Sequence, residues 1–186
     1  MSRSIGVDRT HLVIRLQAAL TAAAAVLLAL SWASDATAAP ASQSAFALAV
    51  HAGHYDVGSG RAETEAGVEL RAATAFLGLA HAGGVMVNSG GAAYAYYGLR
   101  RPIKLGRWLV VTPHTGTGVY ESGASKDLGG PVEFRSGLEL VVNMSDWAQL
   151  GINFYHLSNA VLYRENPGSN SLVMTWSFSG DPPNRQ

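Results

Sequence analysis

The chain has 186 residues, no net charge and no cysteine; 48% of its residues are hydrophobic and only 14% are charged. A soluble domain carries roughly 25% charged residues, so this one is apolar for its size. The neutral balance speaks against nucleic-acid binding, and the missing cysteines exclude disulfides and thiolate metal sites.

The chain opens on Arg3, Arg9 and Arg15, followed by an apolar run over residues 18 to 31 and the small-residue stretch Ala36-Thr37-Ala38. A basic region, a short apolar region and an A-x-A site form the secretory signal pattern. Residues 1–38 are therefore expected to be a cleaved signal peptide. An uncleaved anchor would need about 20 apolar residues.

Beyond it the chain keeps returning to alternation, the period-2 mark of strands with two unlike faces. Eight strands are predicted, at 45–56, 62–73, 75–88, 91–101, 107–120, 132–143, 147–159 and 170–178. The gaps carry turn residues: GSG at 58–60, NSGG at 88–91, RPIKLG at 101–106, NMSD at 143–146 and NPGSN at 166–170. In the second strand Glu63, Glu65, Glu69 and Arg71 oppose Ala66, Val68 and Leu70. In the sixth, Phe134, Leu138, Leu140 and Val142 oppose Arg135, Gly137 and Glu139. The seventh sets Ala148, Leu150, Ile152 and Phe154 against Gln149, Gly151, Asn153 and Tyr155. The eighth sets Leu172, Met174, Trp176 and Phe178 against Ser171, Thr175 and Ser177.

Alternation alone fits a soluble barrel, apolar inside, or a membrane barrel, apolar outside. The signal peptide, the even strand number, the span-length strands and the aromatic residues near strand ends favour the second. The expected fold is all-β: an eight-stranded antiparallel transmembrane β-barrel over residues 39–178, in the outer membrane of a Gram-negative bacterium. Residues 179–186, with two prolines, read as a short polar tail. With the N-terminus periplasmic, the longest loops, at 121–131 and 160–169, fall on the extracellular side.

The stretch FYHLSNA breaks the apolar face of the seventh strand. His156 and Ser158 share the parity of Leu150, Ile152 and Phe154. Two residues apart on a strand, they project side by side. A serine hydroxyl becomes a nucleophile when a base takes its proton, and histidine is the usual base. The same residues also suit a polar strand end among lipid head groups, and the H-x-S spacing alone does not decide between them.

FYHLSNA followed by Asn166-Pro167-Gly168 resembles the signature of the lipid A 3-O-deacylases, the PagL family of outer-membrane enzymes: a histidine, one residue, then Ser-Asn, near the end of an eight-stranded barrel. The resemblance implies Ser158 as nucleophile, His156 as general base and then acid, and Asn159 helping to hold the oxyanion. It implies hydrolysis of the ester-linked acyl chain at the 3-position of lipid A, with lipopolysaccharide of the outer leaflet as substrate and no cofactor. Family members place a glutamate twelve residues after the serine, where this chain has Asn170. An asparagine carbonyl can still fix a histidine tautomer, as in Cys-His-Asn proteases. A Ser158–His156–Asn170 triad is one reading; Asn170 as a turn cap is another, and Glu165 is a rival third member. A non-enzymatic or inactive small barrel, structural or adhesive, is the alternative function, and a soluble lipid-binding barrel a lesser one. A homodimer is left open.

The other histidines give no metal site: His51 and His54, three apart, face opposite sides, and His81 and His114 lie on different strands, both expected in the polar interior. Glu63, Glu65, Glu69, Arg71, Arg135 and Glu139 are expected to pair inside the barrel. Tyr94, Tyr96 and Tyr97 are expected as girdle and packing residues. Arg100, Arg101, Lys104 and Arg107 are expected among periplasmic-leaflet head groups.

Overall fold

The structure, a computed structural model, describes residues 46–60, 63–72 and 76–179. The expected signal peptide, and the tail from residue 180 onward, lie outside the described residues. Among the described residues nine strands form: β1 (Phe46–Tyr55), β2 (Glu63–Ala72), β3 (Ala80–Asn88), β4 (Ala93–Arg100), β5 (Ile103–Leu105), β6 (Leu109–Glu121), β7 (Val132–Asn143), β8 (Ala148–Ser158) and β9 (Ser169–Ser179). Each long strand pairs antiparallel with its chain neighbour, β4 pairs β6, and β9 pairs back to β1. Eight long strands thus close into a barrel, in which every long strand has a neighbour on both sides.

Two boundaries differ from the sequence reading. Residues 76–78 form a 3-10 turn ahead of β3, with Leu77 at φ 59, so the third strand starts later than its alternation implied. Within RPIKLG, read as a plain turn, Ile103–Leu105 pairs with Leu109–Val111 as a small hairpin. The loops at 122–131 and 159–168 fall at the same end of the barrel as the β1–β2 and β3–β4 connections. Outer-membrane barrels carry their longer loops on the extracellular side.

The apolar faces point outward. Leu48, Val50, Val68, Leu70, Val85 and Val87 are exposed on one side of the wall, and Leu138, Leu140, Ile152, Leu172, Met174 and Trp176 on the other. The lumen is filled, as expected of an eight-stranded barrel. Its periplasmic half is an ion-pair network. Arg71 Nε donates to Glu69 at 2.6 Å and Arg71 Nη2 to Glu139 at 3.0 Å; Arg100 Nη1 donates to Glu69 at 2.6 Å and Arg100 Nη2 to Glu139. Arg135 lies over the rings of Tyr155 (3.9 Å) and Tyr96 (4.3 Å), and Tyr96 donates to Glu69. Buried charges must be paired in this way. The extracellular half is a plug of Tyr55, Tyr94, Tyr120, Met86, Leu128 and Leu157.

Three expectations are corrected here. Arg100 is not among head groups: its side chain is buried between Glu69 and Glu139, because its parity on β4 points inward. His81 faces outward, where its Nδ1 meets Tyr97 Oη at 2.6 Å, while His114 does point inward, onto Asn153. Glu63 sits at the barrel mouth, half-buried, and accepts from Ser125.

Candidate active site

β8 carries His156 and Ser158 on its outward face toward the extracellular end, in register with β7 and β9. His156 lies opposite Ser136 on one side and Asn170 on the other, and Ser158 lies opposite Phe134. The imidazole is only 7% exposed although it points away from the lumen. Its cover is the β8–β9 loop. Gly168, at φ +59, comes so near that a Cβ there would lie 2.7 Å from His156 Cε1. Only a glycine meets both the backbone angle and the space.

On the β9 side His156 Nδ1 is 2.9 Å from Asn170 Oδ1. The amide carbonyl can only accept, so this bond places the proton on Nδ1 and leaves Nε2 unprotonated. That is the tautomer a general base needs. No hydrogen bond among the described residues joins Ser158 Oγ to the imidazole. Apo catalytic bonds are often long and close only with substrate. Glu165 is exposed and takes part through its backbone carbonyl; among the described residues no bond links its carboxylate to His156.

Asn159 stands differently from the role that the resemblance implied. It is fully buried. Its amide Nδ2 donates to the carbonyls of Leu128 and Glu165, both at 2.8 Å, and its Oδ1 accepts from Val161 N at 3.0 Å. Its own backbone N–H donates to Asn166 Oδ1 at 3.0 Å. Every donor is spent, so this geometry does not support an oxyanion role for Asn159. The residue clasps the two long loops together. The clasp holds Ala160 and Val161 at φ 50 and 66, a region that is an outlier for a β-branched residue.

Ser136 was missed in the sequence. It faces outward on β7 beside His156 and is half-buried. Its signal was available: it interrupts the apolar series Phe134, Leu138, Leu140, Val142 as His156 and Ser158 interrupt that of β8. Among the described residues no group of three or more candidate metal ligands is found.

A closed, lumen-filled barrel with an apolar outer wall, bearing a histidine–asparagine pair and a serine on that wall, defines a small outer-membrane β-barrel with a polar cluster on its outer face. The model of the lipid A 3-O-deacylase (PagL) family matches residues 28–179, and the chain belongs to that family. Among solved structures it is similar to the outer-membrane enzyme PagL, at 14% identity and TM-score 0.57, over 71% of this chain and 98% of that one. It is also similar to Neisserial surface protein A, at 12% identity and TM-score 0.54, over 74% of this chain and 98% of that one. A de novo designed transmembrane β-barrel matches at 11% identity and TM-score 0.52, over 74% of this chain and 97% of that one. No curated protein matches the sequence. Because a designed barrel shares the fold, the fold alone does not select an activity.

Proposed function

We propose that the chain is an outer-membrane serine esterase that removes the ester-linked acyl chain at the 3-position of lipid A. The observation that carries the reading is the 2.9 Å bond from His156 Nδ1 to Asn170 Oδ1 on the outer wall, two residues from a serine of the same face. Residues inside the lumen could not meet a membrane lipid; residues on this face can. Lipid A reaches Ser158 sideways through the outer leaflet.

In the proposed mechanism His156 Nε2 takes the Ser158 proton as Oγ attacks the ester carbonyl, and the carbonyl π pair moves to oxygen. The tetrahedral intermediate collapses. The bond to the sugar 3-oxygen breaks, and that oxygen takes the proton from Nε2. Water, activated by the same nitrogen, then hydrolyses the acyl-enzyme. Asn170 holds the imidazole in the required tautomer throughout. No step calls for a cofactor.

Two observations favour the alternative of an inactive barrel: Ser158 and His156 are not hydrogen-bonded, and the third group is an amide where family members have a carboxylate. Mass spectrometry of lipid A from Gram-negative cells expressing the wild type and Ser158→Ala separates the two. Loss of one hydroxyacyl chain with the wild type alone is expected. Identical lipid A in both, with both barrels folded in the outer membrane, refutes the esterase.

A further inference from the structure

The clasp formed by Asn159 leaves the site without an evident group to receive the negative charge that develops on the ester oxygen. Acyl transfer by a serine depends heavily on such donors, aimed at where the charge forms. The donor must reach the attacked carbonyl oxygen from a flank of the nucleophile that the imidazole does not fill.

The imidazole leans toward β9. Its Nδ1 is held by Asn170, and its Cε1 packs under Gly168. The open flank of Ser158 is therefore the β7 side, where the outward residues are Phe134 and Ser136. Phe134 has no donor. Ser136 lies directly opposite His156, so their Cβ atoms are about 4.5–5.5 Å apart, and it is the diagonal neighbour of Ser158 at roughly 7–8 Å. An acyl carbonyl bonded to Ser158 Oγ spans that gap. Among the described residues no hydrogen bond occupies the Ser136 hydroxyl. The next outward hydroxyl in the same row, Thr115, is opposite Ser136 on β6, two strands and about 10 Å from His156.

We propose that Ser136 is a further catalytic residue, whose hydroxyl donates a hydrogen bond to the oxyanion formed when Ser158 attacks the ester carbonyl. This deepens the esterase reading and rests on it. Ser136 keeps its proton: the Oγ–C bond forms at Ser158, the carbonyl pair moves to oxygen, and the Ser136 O–H stabilises that oxygen until the pair returns and the ester bond breaks.

The test uses the full barrel, purified and refolded in detergent, acting on lipid A in mixed micelles, with folding checked by heat-modifiable gel mobility. Ser136→Ala is expected to lower kcat by about a hundredfold, the loss typical of one removed oxyanion donor, with KM little changed. Ser136→Thr retains the hydroxyl and is expected to keep most of the activity. Ser136→Val has the same shape as threonine without the hydroxyl and is expected to behave as alanine, so the pair controls for packing. Thr115→Ala is expected to match the wild type. A long-chain fluorophosphonate, which forms a tetrahedral adduct, is expected to label Ser158 more slowly in Ser136→Val than in Ser136→Thr. Equal kcat in the Val and Thr variants of an active enzyme, or labelling on Ser136 itself, overturns this inference alone. A wild type that neither releases acyl chain nor reacts with the probe overturns the esterase reading and this inference with it.

Discussion

Replacing Asn170 by aspartate changes charge and almost nothing else, since the two side chains are isosteric and Oδ1 can stay 2.9 Å from His156 Nδ1. In the proposed mechanism the imidazole becomes a cation as it takes up the serine proton, and a carboxylate stabilises that cation where an amide does not. A hydrogen bond to a charged group contributes about 1 kcal/mol more than a neutral one, which is about fivefold in rate. The Coulomb limit, with charge centres about 4 Å apart and an effective dielectric constant of about 20, is about 4 kcal/mol, or roughly a thousandfold. The expected kcat of Asn170→Asp therefore lies between about five and about a thousand times that of the wild type. The barrel should tolerate the change, because a carboxylate near the membrane interface costs only about 0–1 kcal/mol. Asn170→Ala removes the acceptor and is expected to lower kcat by at least tenfold. The assay is acyl release from lipid A in mixed micelles with folded protein. If both variants fall within twofold of the wild type, Asn170 does not act on the imidazole and the triad reading fails.

Gly168→Ala forces a left-handed alanine, at about 1–2 kcal/mol, and a Cβ 2.7 Å from His156 Cε1; kcat should fall at least tenfold while the thermal midpoint of heat-modifiability barely moves. Asn159→Asp turns two amide donors into an acceptor facing the carbonyls of Leu128 and Glu165. A local cost of about 2–3 kcal/mol should appear as protease cleavage within 159–168 on an otherwise folded barrel, together with loss of activity. Arg100→Met leaves Glu69 and Glu139 short of a cation. Breaking a buried pair costs about 3–5 kcal/mol, so the midpoint should drop, while deacylation by the folded fraction stays as in the wild type.

Parity made most of the wall legible. The outward series of β7 and β9 and the inward Glu65, Glu69, Arg71 and Glu139 follow from alternation alone. It also put Asn170 on the face of His156, since Asn170 shares the parity of Leu172 and His156 that of Ile152, and both of those lie on the apolar face. What failed was local and had causes. Arg100 was grouped with its basic neighbours in sequence, when its parity on β4 already set it inside. Asn159, one residue beyond Ser158, carries the opposite parity and turns inward; its loop contacts, to residues as distant as Leu128, leave no trace in a motif. Ile103–Leu105 was hidden because a short pairing set among turn residues gives no periodic signal. His81 went astray because histidine suits a polar lumen and an interfacial wall equally well.

The placement of Ser158, His156 and Asn170 on β8 and β9 bears on how the proposed site is assembled. Among the described residues β8 and β9 are the last two strands in chain order. Ser158 and His156 share one strand, but the asparagine and the glycine that orient the imidazole come with the final strand and the loop before it. The clasp to Leu128 further requires the hairpin of β6 and β7. Until the last hairpin is in register and β9 has paired with β1, the serine has no oriented base beside it. On the proposed esterase reading, a chain whose barrel has not closed has no assembled site. On that reading, closing the wall and completing the site are a single event.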